Sequence, residues 1–380
     1  MSPLPPDLRL PDYADGCLTN LVPELLRPPG RRTAAWLPGP ARAASQVVLL
    51  VLDGLGWNQL QDRRDLAPTL AAMAGGPITS VAPTTTATAL SSIVLGRAPA
   101  AHGVVGYRLR VDGPEGDLVL NVLRWRTSAG DARESVPAVA FATGDAFGGR
   151  AVPVVTKAEF ASTGFTAAQD IRRLHGWFAA SSIAVEVDGL LRAGEPFVYA
   201  YYEGVDKVAH AHGFGAHYDA ELVAADRLVA DVAAVLPPGA ALVVTADHGQ
   251  VEVGDRLVEL APEVRSDVTL VSGEGRFTWL HARPGRLDAL VAACRERYEA
   301  TGLAVVRTRQ EIVDDGWFGG PLSSEVAERL GEVAIVARRP VAFLDPADPG
   351  ASTLVCRHGS LTPDEMLVPC LATAAPATRP

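Results

Sequence analysis

The chain has 380 residues, of which 48% are hydrophobic and 21% are charged, and its formal net charge is −10. This length and composition are sufficient for a large domain with a well-buried core. The negative charge and the lack of a basic tract argue against binding to a nucleic acid polymer, because such a surface repels polyanions. A small anionic substrate is compatible with this charge if bound metal ions supply local positive charge.

The sequence carries no targeting or membrane signal that we can identify. The N-terminal stretch MSPLPPDLRLPDYADG contains prolines and acids but no apolar core, so it does not predict a signal peptide. The longest aliphatic run, at residues 47–52, is too short to span a membrane. Four scattered cysteines form no CxxC pair, which is typical of buried thiols in a reducing compartment. We therefore expect a cytoplasmic protein that does not associate with membranes.

The chain up to about residue 255 predicts strands that alternate with helices. Residues 1–44, rich in proline and arginine, are interpreted as an N-terminal arm. The run VVLLVLDGLG follows, and its continuous apolar character is typical of a central parallel strand that is covered on both faces. FVYAYY at 197–202 and ALVVT at 241–245 have the same design, with a helical pattern at 220–236 between them. This order predicts an α/β fold with a doubly wound, mostly parallel central sheet between helical layers.

The segment 256–332 interrupts this alternation. It contains a candidate strand region, VTLVSGEGRFTWLHAR, a candidate helix, LDALVAACRERYEA, and a second candidate strand, LAVVRT. We interpret it as a small inserted α+β cap subdomain. The catalytic core is then expected at 45–255 and 333–373, with the main sheet resuming near 333–337 and closing with MLVPCLA. The terminal sequence APATRP predicts a disordered tail.

Acids and histidines follow the predicted strands at the positions where a site is expected. Asp53 follows the first strand, Asp206 and His210 come shortly after the second, and Asp247 and His248 follow the third. Open α/β sheets bind ligands beyond the carboxyl ends of their strands, so these side chains should meet at one edge. The spacing of four residues between Asp206 and His210 also places both on one side of a helical turn.

A further histidine, His358, lies in the segment RHGSLTPDEM and completes a set of three carboxylates and three imidazoles. Such a set suits zinc, with manganese or iron as alternatives. One metal ion would leave most of the carboxylates as buried like charges, whereas two ions would neutralise them. Any one of these residues alone would suggest a helix cap, a turn or a structural histidine, and only their joint occurrence favours a site. The remaining histidines are expected to be surface or structural residues, with His212 and His217 as weak candidates for a rim role.

The assembled motifs resemble the type I phosphodiesterase and nucleotide pyrophosphatase family of the alkaline phosphatase superfamily. The matching segments occur in the family's order: VLDGLG, PTTTATALSSIVLGRAPAAHGVVGY, YYEGVDKVAHAHG, TADHG and HGSLTPDEM. The resemblance implies an alkaline phosphatase-like fold and two metal ions. One ion would be held by Asp206, His210 and His358. The other would be held by Asp53, Asp247, His248 and the oxygen of the nucleophile.

The resemblance also implies a threonine nucleophile at the start of a helix, ten residues before a glycine, and counting back from Gly96 gives Thr86. A threonine hydroxyl is a weak nucleophile at neutral pH and needs a metal ion to lower its pKa. At a helix N-terminus it also faces free N–H groups that can hold a phosphate oxygen. Attack by Thr85, with Thr86 as a helix cap, is the alternative, because helix boundaries inferred from sequence slip by a residue or two.

The sequence departs from the family at Ala89, where typical members carry a phosphate-binding asparagine. Asn121 and Arg124 are candidate substitutes, and both also fit ordinary strand or surface roles. Four aromatic residues of the insert are candidates either to stack on a nucleobase or to form core: Phe277, Trp279, Trp317 and Phe318.

Residues and resemblance together predict a two-metal phosphoesterase that acts on phosphodiester or pyrophosphate bonds through a covalent phospho-threonine intermediate. Its expected substrate is a small anionic phosphoester, with a nucleotide as one candidate. A phosphomonoesterase or a phosphonate hydrolase of the same superfamily is the nearest alternative. A metal-binding protein without catalytic activity is the alternative from another class.

Overall fold

The computed structural model describes residues 4–348, 350 and 353–375. The predicted disordered tail lies outside these residues, apart from Ala375. Within the described ranges, every helix is too short or too polar to cross a membrane.

The described strands are β1 Gln46–Leu52, β2 Ala74–Thr79, β3 Arg108–Gly113, β4 Gly116–Asn121, β5 Arg126–Thr127, β6 Gly130–Asp131, β7 Pro153–Lys157, β8 Arg173–Trp177, β9 Phe197–Tyr202, β10 Ala240–Thr245, β11 Val251–Glu252, β12 Leu257–Val258, β13 Val268–Glu274, β14 Phe277–Ala282, β15 Ala304–Thr308, β16 Val333–Ala337, β17 Ala342–Phe343, β18 Cys356–Arg357 and β19 Leu367–Ala374.

The described α-helices are α1 Leu18–Leu25, α2 Gly39–Ala43, α3 Trp57–Asp62, α4 Pro68–Ala72, α5 Thr86–Leu95, α6 Pro99–His102, α7 Ala138–Phe141, α8 Gly164–Ala168, α9 Ile183–Arg192, α10 Gly204–His212, α11 Ala216–Ala234, α12 Pro262–Arg265, α13 Leu287–Cys294, α14 Arg309–Asp314, α15 Ser324–Glu328 and α16 Pro363–Met366. Short 3₁₀ turns lie at Arg64–Leu66, Ala146–Gly149, Ala158–Ser162 and Ala180–Ser182, and a π-helical turn, Arg295–Glu299, continues α13.

The main sheet has seven strands in the order β2-β19-β10-β1-β9-β7-β8. The central strand β1 pairs in parallel with both β9 and β10, and its residues after Gln46 are all buried. Only β19 runs against its neighbours, β10 and β2. The carboxyl ends of the other strands therefore share one edge with the amino end of β19. The predicted α/β fold with a mostly parallel central sheet is confirmed.

A second, antiparallel sheet has the order β13-β14-β16-β15. The prediction that residues 333–337 resume the main sheet is wrong, because β16 lies inside this second sheet. The residues of β16 are buried throughout, so its apolar run resembles a central strand of the main sheet. A separate hydrophobic cluster that includes Leu290, Tyr298 and Ile335 forms the core beneath this sheet. The division of the chain into arm, core and cap at the boundaries given above stays a proposal.

Two further features lie on either side of α5 along the chain. In the segment interpreted as an arm, α1 packs against α5 and buries Leu18, Leu21 and Val22. After α5, a small antiparallel sheet of β3 to β6 contacts the second sheet through β13. The sequence analysis did not predict this small sheet, whose strands are short and only partly buried.

His102 is fully buried at the end of α6 and is held in one tautomer. Its Nδ1 accepts from the backbone N–H of Val104 at 3.1 Å, so Nε2 carries the proton and donates to Ser92 Oγ at 2.8 Å. Burial lowers the pKa of His102 to about 3, and the charges of Arg97 and Arg329 act in the same direction. The folded protein therefore keeps this imidazole neutral in mildly acidic solution.

We predict that His102 makes the protein less stable as the pH falls below 6.5, the ordinary histidine pKa. The unfolded chain then binds a proton that the folded chain does not, so the free energy of unfolding drops by about 1.4 kcal/mol per pH unit. Above that pH the side chain is neutral in both states and contributes no slope. Urea unfolding of the wild type and His102→Gln should show a stability difference that shrinks by about 2–3 kcal/mol between pH 6.5 and about pH 4.5. A difference that is constant with pH would contradict this assignment.

Candidate active site

The sequence-predicted site residues meet at the carboxyl-end edge of the main sheet. Asp53 follows β1, Asp206 and His210 lie on α10 after β9, and Asp247 and His248 follow β10. His358 lies in the loop before β19, whose amino end is at the same edge, and Thr86 begins α5 after β2. Because β19 runs antiparallel to its neighbours, His358 precedes this strand and still lies at the same edge as the residues that follow the other strands.

Asp206, His210 and His358 form the first cluster, in which one possible ligand atom from each residue lies within 4.8 Å of the others. Asp206 Oδ1 is 3.3 Å from His210 Nε2 and 4.0 Å from His358 Nε2. The helical spacing in α10 brings the first two together. Gln250 Nε2 donates to the same Asp206 oxygen at 2.8 Å and orients the carboxylate.

Asp53, Asp247 and His248 form the second cluster, defined in the same way. His248 Nε2 is 3.5 Å from Asp53 Oδ1 and 3.4 Å from Asp247 Oδ2. Thr86 Oγ1 lies 3.1 Å from the same His248 nitrogen. The rings of His248 and His358 stack with centroids 3.6 Å apart, so the two clusters are adjacent.

Backbone carbonyls fix the tautomer of all three clustered histidines. His210 Nδ1 is 2.7 Å from the Cys356 oxygen, His248 Nδ1 is 3.1 Å from the Gly249 oxygen, and His358 Nδ1 is 2.8 Å from the Thr84 oxygen. A carbonyl oxygen only accepts, so each Nδ1 carries a proton and donates. Each Nε2 then presents a lone pair to its cluster, which is the arrangement of a metal-ligating histidine.

The carboxylates of the second cluster have one satisfied and one unsatisfied oxygen each. The Tyr201 hydroxyl donates to Asp53 Oδ2, and the backbone N–H groups of Gly54 and His248 donate to Asp247 Oδ1 at 3.0 Å. Asp53 Oδ1 and Asp247 Oδ2 are buried without a hydrogen-bond partner. Such oxygens are costly in a protein interior, and a bound cation would satisfy them. The residues present therefore fit a metal ion.

The pKa shifts of the clustered residues also fit bound metal ions. Burial raises the pKa of Asp53 well above its usual value, and the charges of Asp247 and Asp206 raise it further. Burial also raises the pKa of Asp206, against the influence of His210. Burial lowers the pKa of His358 well below its usual value, and the neighbouring His248 and His210 act in the same direction. Without cations, these surroundings disfavour the anionic forms of Asp53 and Asp206 and the protonated form of His358. Divalent ions would favour the carboxylate anions and keep the imidazole neutral.

The three consecutive threonines occupy different environments. Thr84 Oγ1 donates to the Ser360 oxygen and accepts from the Gly359 N–H, so its hydroxyl is fully engaged. Thr85 has an extended backbone at the N-cap position of α5, without a side-chain capping bond. The Thr86 hydroxyl lies beside the second cluster. Of the three, it is the hydroxyl in contact with a clustered histidine.

The weaker sequence candidates lie elsewhere or are engaged. The Asn121 side-chain amide donates to the Tyr107 hydroxyl at 2.6 Å, and its oxygen accepts from the Arg124 backbone N–H at 3.0 Å. Both the nitrogen and the oxygen of this side chain are therefore engaged. His212 and His217 are exposed and stack on each other, with centroids 4.0 Å apart. The aromatic residues of the insert are at most 1% exposed and contact one another, which makes them core and not base-stacking residues: Phe277, Trp279, Trp317 and Phe318.

Sequence reasoning missed three residues that contact the clusters. Tyr201 and Gln250 orient the carboxylates, and Glu274 Oε2, from the end of β13, lies 3.9 Å from His358 Nδ1. Tyr201 could have been suspected, since a polar tip near the carboxyl end of a buried strand points to the site edge. Gln250 and Glu274 carry no such signal, because tertiary folding alone brings them to the site.

Comparison with known proteins places these motifs in a family. A family model described as type I phosphodiesterase / nucleotide pyrophosphatase matches residues 47–361, which contain both clusters and Thr86. No curated protein matches the sequence significantly.

Several solved structures have a similar fold. Murine ectonucleotide pyrophosphatase / phosphodiesterase 5, as an inactive threonine-to-alanine variant in complex with AMP, is 16% identical with a TM-score of 0.64, over 87% of this chain and 88% of that chain. The human counterpart is 14% identical with a TM-score of 0.62, over 87% and 88%. Phosphonoacetate hydrolase from Sinorhizobium meliloti 1021, in complex with phosphonoformate, is 19% identical with a TM-score of 0.62, over 91% and 92%. At these identities the likeness shows the fold.

We predict that Tyr201→Phe weakens metal binding at the second cluster by about 10–100-fold, because the hydroxyl that orients Asp53 is lost. Metal affinity is measured by competition with a chromogenic chelator, and folding by thermal unfolding. Tyr199→Phe is the matched control, since Tyr199 is buried in the same strand and makes none of the described hydrogen bonds to the clusters. Equal metal affinities of Tyr201→Phe and the wild type would show that the hydroxyl does not orient the ligand.

Proposed function

Because the chain belongs to the type I phosphodiesterase / nucleotide pyrophosphatase family, we propose that it is a two-metal phosphoesterase that hydrolyses phosphodiester or pyrophosphate bonds. The observation that carries the proposal is the pair of adjacent three-residue clusters with the Thr86 hydroxyl beside one of them. Its substrate is proposed to be a small anionic phosphoester, with nucleotides as the first class to test. The murine relative in complex with AMP supports that choice of class.

We assign the ligands of the two ions to the two clusters. One ion is assigned to Asp206, His210 and His358. The other is assigned to Asp53, Asp247, His248 and the Thr86 oxygen. Mixed imidazole and carboxylate ligands favour zinc, with manganese or iron as alternatives. When bound, two divalent ions lower the pKa of the attacking oxygen and neutralise charge on the phosphoryl group.

Thr86 is the proposed nucleophile. Its oxygen loses its proton to solvent and attacks phosphorus in line with the leaving group, the bond from phosphorus to the leaving-group oxygen breaks, that oxygen takes up a proton, and the phosphoryl group stays on Thr86. A water molecule then attacks the same phosphorus, and the bond from phosphorus to the Thr86 oxygen breaks. The water supplies the proton that restores the threonine hydroxyl, and a diester substrate leaves as a phosphomonoester. The first turn of α5 supports these steps, since its N–H groups lack intrahelical partners and can hold a phosphoryl oxygen. The inactive variant of the murine relative has alanine in place of one threonine.

The charges around the clusters favour a diester over a monoester. Within the described part of the chain, the hydrogen bonds and ion pairs of the six clustered residues and Thr86 involve no lysine or arginine side chain. A monoester dianion brings one more negative charge than a diester, and the contacts described here supply no cationic side chain for it. Beyond the site, the four cysteines are free and buried, which supports the proposal of a cytoplasmic location.

A paired assay tests the reaction class. After metal quantification, the protein should hydrolyse bis(p-nitrophenyl) phosphate with a kcat/KM about tenfold or more above that for p-nitrophenyl phosphate, because the described contacts of the clustered residues include no lysine or arginine side chain for the extra charge. A preference for the monoester would contradict the diesterase proposal. Turnover of phosphonoacetate in preference to both esters would instead support a phosphonate hydrolase. Fewer than two metal ions per chain in a fully active sample would contradict the two-metal proposal.

Substitution at the threonines tests the covalent step. Thr86→Ala should lower kcat by about a thousandfold or more, because no other group replaces the nucleophile, while Thr86→Ser keeps measurable activity. Thr85→Ala is the matched control and should remain active, and the melting temperatures of both variants show whether each of them is folded. Mass spectrometry of acid-quenched wild-type enzyme should find the phosphoryl group on Thr86. An inactive Thr85→Ala beside an active Thr86→Ala would identify Thr85 as the nucleophile, and full activity in both would favour a protein without this chemistry.

A further inference from the structure

We propose that Arg276, in the turn between β13 and β14 of the second sheet, is a positioning residue that sets the place of His358. The inference rests on the proposed function, in which His358 holds a metal ion. Within the described residues, the hydrogen bonds of Arg276 go to Glu365, Arg339 and Val341 and not to the clustered residues. It acts through Glu365 and the loop of residues 358–362, which we name the His358 loop.

Arg276 and Glu365 form a fully buried, two-pronged ion pair. Arg276 Nε lies 2.7 Å from Glu365 Oε1, and Nη2 lies 2.8 Å from Oε2, with both side chains 0% exposed. The remaining nitrogen, Nη1, donates to the carbonyl oxygens of Arg339 and Val341 at 2.8 and 2.9 Å. This planar fork fits a carboxylate in one orientation, so the pair fixes Glu365 in direction as well as in place.

Glu365 in turn holds the His358 loop. Its Oε1 accepts from the Ser360 backbone N–H at 2.9 Å, and its Oε2 accepts from the Thr362 hydroxyl at 2.5 Å. On the other side, the Thr84 hydroxyl donates to the Ser360 oxygen at 2.7 Å. The loop is therefore held between the threonine segment that precedes α5 and a carboxylate oriented from the second sheet.

The same turn also packs against the loop directly. Glu274 fills the space beside Gly359, where an added Cβ would lie 2.7 Å from Glu274 Cγ. Gly359 has a φ of +125°, which a residue with a side chain rarely adopts. Only the backbone of the loop fits between Glu274 and Thr84, and the imidazole of His358 projects from that backbone into the first cluster.

A buried ion pair contributes little net stability, since desolvation offsets its attraction, so its contribution here is one of geometry. Loss of the fork would leave Glu365 without its partner and free the amide of Ser360. The metal ion assigned to Asp206, His210 and His358 would then bind more weakly. The ion assigned to Asp53, Asp247 and His248 would not, because none of its ligands lies in the loop.

The test compares Arg276→Lys with Arg329→Lys. Lysine keeps the charge at residue 276 but cannot form the two parallel bonds. Arg329 is the matched control, since it is also buried, donates to carbonyl oxygens and pairs with a glutamate, Glu325, away from the loop. Zinc affinity by chelator competition, amide hydrogen exchange of the metal-free protein and kcat for bis(p-nitrophenyl) phosphate are the readouts.

For Arg276→Lys we expect one of the two zinc ions to bind about 10–100-fold more weakly, the other to bind as before, and added zinc to restore kcat. In the metal-free protein, the amides of Gly359 and Ser360 should exchange faster. Arg329→Lys should leave all three readouts unchanged. Thr362→Val removes a single bond to Glu365 and should change the three readouts in the same direction but by less. This variant replaces Arg276→Lys in the test if Arg276→Lys does not fold.

Unchanged zinc affinity and unchanged loop exchange in a folded Arg276→Lys protein would overturn the inference. A general loss of melting temperature, equal in Arg276→Lys and Arg329→Lys and without a selective effect on one ion, would also overturn it, since it would show a merely structural role. The proposed function fails separately, on the wild type alone, if that protein binds no zinc or hydrolyses no diester. The exchange readout remains valid in that event, because it needs neither metal nor turnover.

Discussion

The mutual repulsion of three carboxylates, two of them buried and one partly buried, is the constraint to which the rest of the site responds. The parallel course of β1, β9 and β10 delivers Asp53, Asp206 and Asp247 to one edge of the sheet, where burial limits the screening of their charges by water. Each carboxylate accepts a hydrogen bond that fixes its orientation, and the second cluster keeps two oxygens without protein partners. Bound cations would offset this repulsion, and the proposed chemistry depends on them.

The three clustered histidines are also held in a fixed orientation beside these carboxylates. Each is fixed by a carbonyl oxygen from a different part of the chain, so that its free nitrogen faces the carboxylates. Their carbonyl partners belong to the β18 strand, the turn after β10 and the threonine segment. The ligand geometry therefore depends on how these segments pack, and through the Arg276–Glu365 pair it also depends on the second sheet.

Sequence reasoning succeeded where local pattern and strand direction suffice. The apolar runs of β1, β9 and β10 identified the central strands, because strands buried on both faces tolerate few polar residues. It failed for β16, since an equally apolar run fits either sheet and only pairing with β14 and β15 decides between them. It also left the aromatic residues of the insert open, because a large apolar side chain suits a core and a binding surface equally well.

The sequence by itself determined the α/β class and the family, and it supplied the seven residues that we propose for the site, because each of these inferences depends on residue identity and on distance along the chain. Only the tertiary structure decided which threonine hydroxyl lies beside His248, which ring nitrogen each histidine presents and which residues support the ligands. The partners of these supporting residues lie far away along the chain. The bond from Tyr201 to Asp53 spans 148 positions, the bond from Gln250 to Asp206 spans 44, and the bond between Arg276 and Glu365 spans 89. No local pattern encodes such contacts, since they form only when folding brings segments that are distant in sequence next to each other.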